Sequence, residues 1–303
     1  MPPPNRAEER ARKAAELRAR EASHVRNRRL LLAGSAVTAV LVVLGVLVTV
    51  GLHRGTPASS PSAASGPAPA PVVQAVTSVP PSVLQTVGAG GTKQTLFALD
   101  GKRLLSGGKP LVLYIGAEYC PFCAAERWPV VVALSRFGTW AHLGATTSAA
   151  DDVYPSTPTF SFHGASFTSP YLTFQGVETQ SNKRSGSSYA PLDTLSPEQQ
   201  RILDTYDAPP YVPAASAGAI PFIDVAGRYG ISGSGYDPGL LHGRTLPQIA
   251  DEVRAGNSPA ARAILGNANR LTAAVCAVTG GKPAQVCAAA AVSSLTTDLP
   301  RVP

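Results

Sequence analysis

The feature that most constrains this 303-residue chain is an uncharged apolar segment at residues 30–52, LLLAGSAVTAVLVVLGVLVTVGL. As a helix rising about 1.5 Å per residue, it would span about 34 Å, enough to cross a hydrocarbon core of about 30 Å. A cleaved signal peptide has a shorter apolar region, of about 7–15 residues. We therefore predict one retained transmembrane helix. A cleaved signal peptide is the alternative, and a helix buried in a soluble core fits least.

Positive charge lies on one side of this segment. Residues 1–29 contain nine Lys/Arg and four Asp/Glu, a net charge of +5, whereas residues 30–303 contain 17 and 15, a net charge of +2. Because basic residues stay on the cytoplasmic side, the N-terminal arm is predicted to be cytoplasmic and the main domain extracytoplasmic. The nearly neutral remainder of the chain argues against a nucleic-acid binder, and we expect the basic arm to be a solvated helix beside the membrane.

A region of small residues follows the apolar segment. Residues 55–71 contain only Gly, Thr, Pro, Ala and Ser, so they offer no large side chain for burial. Burial of such a segment cannot offset the entropy lost on ordering it. We predict a Pro/Ala/Ser-rich tether over residues 53–81 and a folded domain over residues 82–303.

The strongest chemical signal is a strand, a Cys-Pro-Phe-Cys motif and a helix in succession. Residues 111–115 form a short apolar run typical of a buried strand. A helical pattern follows at 122–137, with Pro121 at the first turn, where proline is favoured. The free N–H groups and positive dipole end of a helix start stabilise a thiolate. Cys120 is therefore the predicted nucleophile, and Cys123, one turn later, the predicted resolving thiol.

A strand followed by C-P-F-C at a helix start resembles the thioredoxin superfamily. Thioredoxin-like proteins place a cis-proline before a strand, facing the CxxC sulfur. Residues 218–230, GAIPFIDVAGRYG, resemble that proline, its strand and the next hairpin strand. The resemblance implies a cis bond between Ile220 and Pro221, an isomer found in only about 5–6% of X–Pro bonds, and implies that Pro221 shapes a substrate groove.

Four stretches resemble, more closely, the uncharacterised family called domain of unknown function 929. They are GAEYCPFCAAERW, SFTSPYLTF, GSGYDP and AVCAVTGGKPAQVC, and the resemblance covers about residues 80–295. It implies an α/β, thioredoxin-like fold. The spacing departs from a minimal thioredoxin, and we expect an insertion at about 150–210 and a C-terminal helical extension at about 245–295. Within the insertion we expect a hairpin over 157–174, and residues 142–147 are the expected next strand of the main sheet.

A second cysteine pair lies in the helical extension. Cys276 and Cys287 fall on two predicted helices joined by a tight turn, so we predict a structural disulfide. All four cysteines lie beyond the apolar segment, in the compartment where disulfides persist. A redox relay with Cys120 and Cys123 is one alternative. Joint zinc binding is another, although the ten-residue gap is unlike a zinc ribbon. We predict no metal and no cofactor.

Several residues beside the motif have two alternative roles. Glu118 is a candidate proton shuttle for the second cysteine, or a surface or loop-capping residue. Glu126 points away from Cys120 by helical phase. Tyr119 and Trp128 either line the groove beside the sulfurs or pack against the sheet.

Two residues within the motif's helix have specific expected effects. Pro129 should kink the helix, or else end it. Phe122 stands between the cysteines and has no polar group to stabilise the Cys120 thiolate. We therefore expect a milder oxidant than the histidine-containing disulfide oxidases, and a potential near −120 mV would refute this.

These observations predict a membrane-anchored, single-pass, extracytoplasmic thiol–disulfide oxidoreductase that uses Cys120 and Cys123. Protein thiols or disulfides would be its substrates, with a redox partner in the same membrane. The direction of exchange stays open. The alternative is a non-catalytic, disulfide-stapled binding or assembly module of the cell envelope. Copper delivery is a third idea, but Met1 is the only methionine, so thioether ligands are lacking.

Overall fold

A six-stranded sheet lies at the centre of the computed structural model, which describes residues 65–92 and 95–303. The strands of this mixed α/β structure are β1 Gly66–Pro67, β2 Phe97–Ala98, β3 Leu105–Ser106, β4 Lys109–Gly116, β5 Thr139–Ala141, β6 Gly144–Thr147, β7 Pro158–Ser161, β8 Ser166–Thr168, β9 Thr173–Glu178, β10 Gln180–Ser185, β11 Ser188–Pro191, β12 Phe222–Val225 and β13 Tyr229–Ser232. The α-helices are α1 Ala70–Thr77, α2 Pro81–Val87, α3 Pro121–Leu134, α4 Pro197–Tyr206, α5 Leu246–Ala255, α6 Pro259–Val278, α7 Ala284–Cys287 and α8 Ala290–Thr296.

Strand β4 is the central strand of this sheet. It pairs in parallel with β9, from Leu111 opposite Thr173 to Gly116 opposite Glu178. On its other side it pairs antiparallel with β12, which pairs antiparallel with β13 and through it with β2. The short strand β3 pairs antiparallel with the start of β4. The order β9–β4–β12–β13 therefore forms the body of the sheet.

Both faces of β4 are covered, which explains its unbroken apolar sequence. Val112 and Tyr114 belong to the large core that also contains residues of α3 and α6. The alternate residues Leu113 and Ile115 face a second, smaller core packed by side chains of α4. Because successive side chains of a strand point to opposite faces, this alternation places α3 on one side of the sheet and α4 on the other.

Helix α3 begins at Pro121 and continues through Pro129 to Leu134, so the alternative that Pro129 ends the helix is wrong. A proline at this position has no N–H for the carbonyl four residues earlier, which belongs to Ala125. That carbonyl instead accepts a hydrogen bond from the hydroxyl of Tyr236, at 2.8 Å. The side chain of Tyr236 thus replaces the backbone donor that the proline lacks.

The other helix starts follow from local sequence. Ser196 caps α4 in a capping box with Gln199. Helices α5 and α6 lie in the predicted C-terminal helical extension at about 245–295. Gly256 closes α5 in the left-handed conformation, with φ of 69°. Small residues dominate the buried face of α6, which lets it pack closely against α3.

The predicted tether is wrong from residue 66 onward. Strand β1 pairs antiparallel with β6, with Gly66 opposite Ala145. Helix α1 buries Val72, Ala75 and Val76, which share one helical face, and it packs against α5 and α3. Three apolar side chains at this spacing suffice to hold a Pro-rich segment on the domain. The folded part therefore begins well before residue 82.

The predicted single insertion at 150–210 is also corrected. Strand β9 lies within this range, yet it is the parallel neighbour of β4 in the main sheet. The expected hairpin over 157–174 does not form, because β7 pairs with β6 and β8 pairs with β5. Strand β6, within the expected next sheet strand at 142–147, belongs instead to a separate three-stranded sheet of β1, β6 and β7.

Part of the predicted organisation falls outside the structure's described ranges. This part consists of the basic arm at 1–29, the apolar segment at 30–52 and the first residues of the predicted tether. Among residues 65–92 and 95–303, no helix combines the length and the apolar character that crossing a membrane requires.

Candidate active site

Cys120 and Cys123 lie where the central strand gives way to a helix. Cys120 is the N-cap residue of α3, with φ −76° and ψ 123°, and Pro121 follows as the first helical residue. The sulfur of Cys120 accepts the backbone N–H of Cys123 at 3.2 Å. This is an N-cap interaction in which sulfur takes the place of the usual oxygen. Both thiols are free, and Cys120 is 5% exposed whereas Cys123 is 0% exposed.

The two thiols differ in acidity. Hydrogen bonding from the side chain of Cys123 lowers the pKa of Cys120, and the backbone N–H groups of Cys123 and Phe122 contribute in the same direction against the effect of burial. Burial raises the pKa of Cys123 well above that of an ordinary thiol. Cys120, the outer thiol, is therefore the more acidic of the two, and Cys123, the inner thiol, is the one that stays protonated.

The segment before β12 faces the outer sulfur. The Ile220–Pro221 peptide bond is cis, as the resemblance implies. The carbonyl oxygen of Ile220 lies 3.5 Å from the Cys120 sulfur, which donates to it when protonated. The carbonyl of Pro221 accepts the N–H of Gly233 at 2.8 Å. This bond holds the segment against the end of β13.

A buried ion pair lies beneath the cysteines, and the sequence analysis missed it. Arg127, one helical turn after Cys123, donates from Nε and Nη2 to the carboxylate of Glu178 at 2.8 and 2.6 Å. Nη2 also donates to the carbonyl of Ala117 at 2.7 Å. Both side chains are completely buried. The positive charge of Arg127 lowers the pKa of both thiols, while the charge of Glu178 raises that of Cys123.

A buried tyrosine completes this cluster. Tyr114 lies on β4, is 0% exposed, and packs edge-to-face on Phe162 with ring centroids 4.8 Å apart. The guanidinium carbon of Arg127 lies 5.9 Å from the Tyr114 ring centroid. Burial raises the pKa of Tyr114 well above its ordinary value, so its hydroxyl stays protonated and is a hydrogen-bond donor. The periodicity of β4 predicts its burial, but no signal in the sequence predicts its place beside the sulfurs.

The two glutamates near the motif lie in different surroundings. Glu118, the candidate proton shuttle, is buried and its carboxylate accepts from the hydroxyl of Ser65 at 3.4 Å. Glu126 accepts the N–H of Gly235 at 3.0 Å, on the side of α3 that packs against the loop after β13, residues 233–239. Burial raises the pKa of Glu126 to about 8.

The aromatic residues near the motif differ in exposure and contacts. Phe122 is 40% exposed and meets Tyr154 edge-to-face, at 6.0 Å between centroids. Tyr119 is half-buried and stacks on Tyr189, with ring centroids 4.2 Å apart. Trp128, in contrast, is completely buried and donates its indole N–H to the carbonyl of Pro158, so it is a core residue.

The second cysteine pair forms a disulfide. Cys276 and Cys287 are bonded to each other, with Cα atoms 5.5 Å apart, and join the end of α6 to α7. Within the described ranges, no group of three or more His, Cys, Asp or Glu side chains is arranged to hold a metal ion.

The family description that matches the chain is "Domain of unknown function (DUF929)", over residues 95–277. This range covers more than half of the sequence and includes both free cysteines, Pro221 and the Arg127–Glu178 pair. The chain belongs to the DUF929 family. Comparison with the curated proteins and with the solved structures finds no match. The DUF929 range ends one residue after Cys276, so the disulfide joins the family region to the segment that follows it.

Proposed function

We propose that this DUF929 protein is a membrane-anchored, extracytoplasmic thiol–disulfide oxidoreductase that uses Cys120 and Cys123. The observation that carries the proposal is the asymmetry of the pair. The Cys120 sulfur caps a helix and has a lowered pKa, while Cys123, at a 3.2 Å N–H···S distance, is fully buried with a raised pKa. A thiolate is the form that attacks a disulfide, and a neighbouring thiol then resolves the mixed disulfide.

The chemistry assigns one role to each sulfur. The Cys120 thiolate attacks one sulfur of a substrate disulfide and releases the other substrate sulfur as a thiolate. Cys123 then attacks Cys120 and releases the second substrate sulfur, so the pair is oxidised by two electrons and the substrate is reduced by two. The same bond exchanges in reverse oxidise a substrate dithiol. The Ile220 carbonyl, 3.5 Å from Cys120, bounds the space from which a substrate sulfur approaches.

The strand arrangement supports a thioredoxin-like fold for this domain. The CxxC motif follows the central strand β4, α3 carries the second cysteine, and Pro221 immediately precedes β12 beside the outer sulfur. Strand β9 is the parallel neighbour of β4, and β12 and β13 form the antiparallel hairpin. The strand before the CxxC motif, the proline before β12 and the β12–β13 hairpin are the features on which the resemblance to the thioredoxin superfamily rests.

Two features support a location outside the cytoplasm. The apolar segment at 30–52 has an excess of basic residues on its N-terminal side, which favours an external main domain. The Cys276–Cys287 disulfide is a bond that persists in oxidising compartments. Anchoring would hold the domain near a membrane redox partner and near protein thiols or disulfides as substrates.

The test is a redox titration of the full chain in detergent against glutathione buffers, with each cysteine pair followed by mass spectrometry. We expect Cys120 and Cys123 to equilibrate between about −270 and −120 mV, short of the −120 mV end because Phe122 has no polar group for the thiolate. Cys276 and Cys287 should stay oxidised throughout. If Cys120 and Cys123 do not exchange with glutathione at any potential, the oxidoreductase proposal is wrong and a disulfide-stapled binding module replaces it.

A further inference from the structure

Two buried hydrogen-bond donors beside the cysteines have no acceptor. Within residues 65–92 and 95–303, the hydroxyl of Tyr114 and the Nη1 of Arg127 are among the few buried side-chain polar atoms without a partner. Buried polar groups are nearly always hydrogen-bonded, because leaving one unpaired is costly. A phenylalanine at position 114 would fill almost the same space without that cost. The two unpaired donors therefore need a physical reason for being retained in the buried cluster.

The surrounding structure holds both donors in place. The Nε and Nη2 atoms of Arg127 are committed to Glu178 and Ala117, which fixes the plane of the guanidinium and leaves Nη1 free. Gly116 leaves room for the Tyr114 hydroxyl, since a Cβ at position 116 would lie only 2.5 Å from that oxygen. Neither donor is free to turn toward water, because both side chains are 0% exposed.

Both donors lie within electrostatic reach of the inner thiol. The charge of Arg127 lowers the pKa of Cys123, and a charge on Cys123 raises the pKa of Tyr114. The guanidinium carbon of Arg127 lies 5.9 Å from the centroid of the Tyr114 ring. Arg127 and Cys123 share α3 at a spacing of four residues, which places them on the same helical face. Tyr114 reaches this face from β4. The Cys123 sulfur lies on this face, and a negative charge on it would attract both unpaired donors.

We propose that Tyr114 and Arg127 form a two-donor site that stabilises the Cys123 thiolate during thiol–disulfide exchange. This inference rests on the proposed function. In the reduced protein Cys123 is a neutral thiol, and the Tyr114 hydroxyl and Arg127 Nη1 have no hydrogen-bond acceptor. When Cys123 acts, its thiol proton goes to the first substrate thiolate released, and its sulfur carries the charge. The Cys123 thiolate then attacks the Cys120 sulfur, the bond from Cys120 to substrate breaks, and the substrate sulfur leaves with the electron pair.

Other charged and titratable groups also act on Cys123. Cys120 on the same helix and Glu178 on β9 both raise its pKa, and Arg127 opposes them. Glu118 and Tyr119, from the loop before α3, act on Glu178 and on the cysteines respectively. The charge of Glu178 offsets much of the charge of Arg127. A hydrogen bond from the Tyr114 hydroxyl therefore stabilises the Cys123 thiolate beyond what the charge of Arg127 contributes.

The experiment follows the full chain reacting with Ellman's reagent by stopped flow. The first thionitrobenzoate released reports attack by Cys120, and the second reports resolution by Cys123. In the Tyr114→Phe variant we expect the second phase to slow about tenfold, as expected for a lost hydrogen bond to a charge, while the first phase is unchanged. The difference in second-phase rate between the variant and the wild type should shrink at higher pH. Loss of the hydrogen bond raises the pKa of Cys123 in the variant, so its thiolate forms at higher pH.

Two further variants separate this role from a structural one. Arg127→Lys keeps the positive charge beside Glu178 but loses the fixed Nη1 donor, and it should also slow the second phase selectively. Tyr236→Phe is the matched control, since it removes a buried hydroxyl that already has a partner on α3, at Ala125. It should destabilise the fold without slowing the second phase selectively.

The outcomes distinguish this inference from the proposed function. Release of only one thionitrobenzoate, or none, by the wild-type chain would contradict the oxidoreductase proposal itself. Release of two by the wild type, with an unchanged second phase in Tyr114→Phe, would overturn the two-donor site alone. Equal slowing of both phases would also overturn it, because that result indicates a general disturbance of the motif.

Discussion

The hydroxyl of Tyr236 donates to the carbonyl of Ala125 at 2.8 Å, the carbonyl that Pro129 leaves without its helical partner. The 233–239 loop is thereby fastened to the helix that carries both free cysteines. The same loop contacts α3 a second time through Gly235 and Glu126. An irregular segment with no catalytic group of its own thus helps set the position of the cysteine helix.

The Tyr236–Ala125 bond should matter only because Pro129 is present. We expect Tyr236→Phe to lower the free energy of unfolding by about 1–3 kcal/mol, since it leaves a buried carbonyl unpaired. In a Pro129→Ala background the new backbone N–H can pair with Ala125, and the same substitution should cost measurably less. Urea unfolding of the four chains, followed by fluorescence of Trp128 and Trp140, gives the coupling energy. Additive effects would contradict the proposed compensation.

Breaking the buried ion pair should have opposite effects on stability and on thiol acidity. Glu178→Gln leaves Arg127 buried without its counter-charge, so we expect a loss of about 3–5 kcal/mol of unfolding free energy. The uncompensated positive charge should also lower the pKa of Cys123, which Glu178 raises. Urea unfolding and the pH dependence of the second Ellman phase measure the two effects. Glu198→Gln, an exposed glutamate on α4, is the control and should change neither.

Glu126 should make stability fall as pH rises. Its pKa in the folded chain is about 8, above its ordinary value of 4.5, so the folded state holds a proton that the unfolded state releases. This contribution is complete below pH 4.5 and is lost as pH rises through about 8, with a slope of at most ~1.4 kcal/mol per pH unit. In Glu126→Gln that slope should disappear from unfolding free energies measured between pH 5 and 8. Identical slopes in the two chains would contradict the burial of an isolated carboxyl.

The Cys276–Cys287 disulfide should contribute stability without taking part in exchange. Closing the loop between Cys276 and Cys287, which are 11 residues apart, contributes about 2.8 kcal/mol by the chain-entropy estimate. The double variant Cys276→Ala/Cys287→Ala should lose about that amount in urea unfolding and keep both Ellman phases. Loss of the second phase in this variant would instead indicate the relay alternative.

The sequence predicts the parts of this molecule that depend on local patterns. The strand before Cys120 and the helix start at Pro121 both follow from residues close in sequence. The sequence does not predict the packing of α1, because its Pro- and Ala-rich composition is typical of a tether and only three apolar residues at helical spacing indicate a packed helix. The burial of Arg127 escapes prediction because its partner, Glu178, lies 51 residues away on β9, and no local signal connects them.

The pH dependence of alkylation by iodoacetamide tests the central claim most directly. In the native full chain at limiting reagent, we expect one modified thiol, Cys120 by mass spectrometry, with a rate midpoint below the ordinary thiol value of about 8.5. Cys123 should stay unmodified until the chain is unfolded. Equal modification of both cysteines, or a Cys120 midpoint at or above about 8.5, would contradict an activated outer sulfur and with it the proposed oxidoreductase.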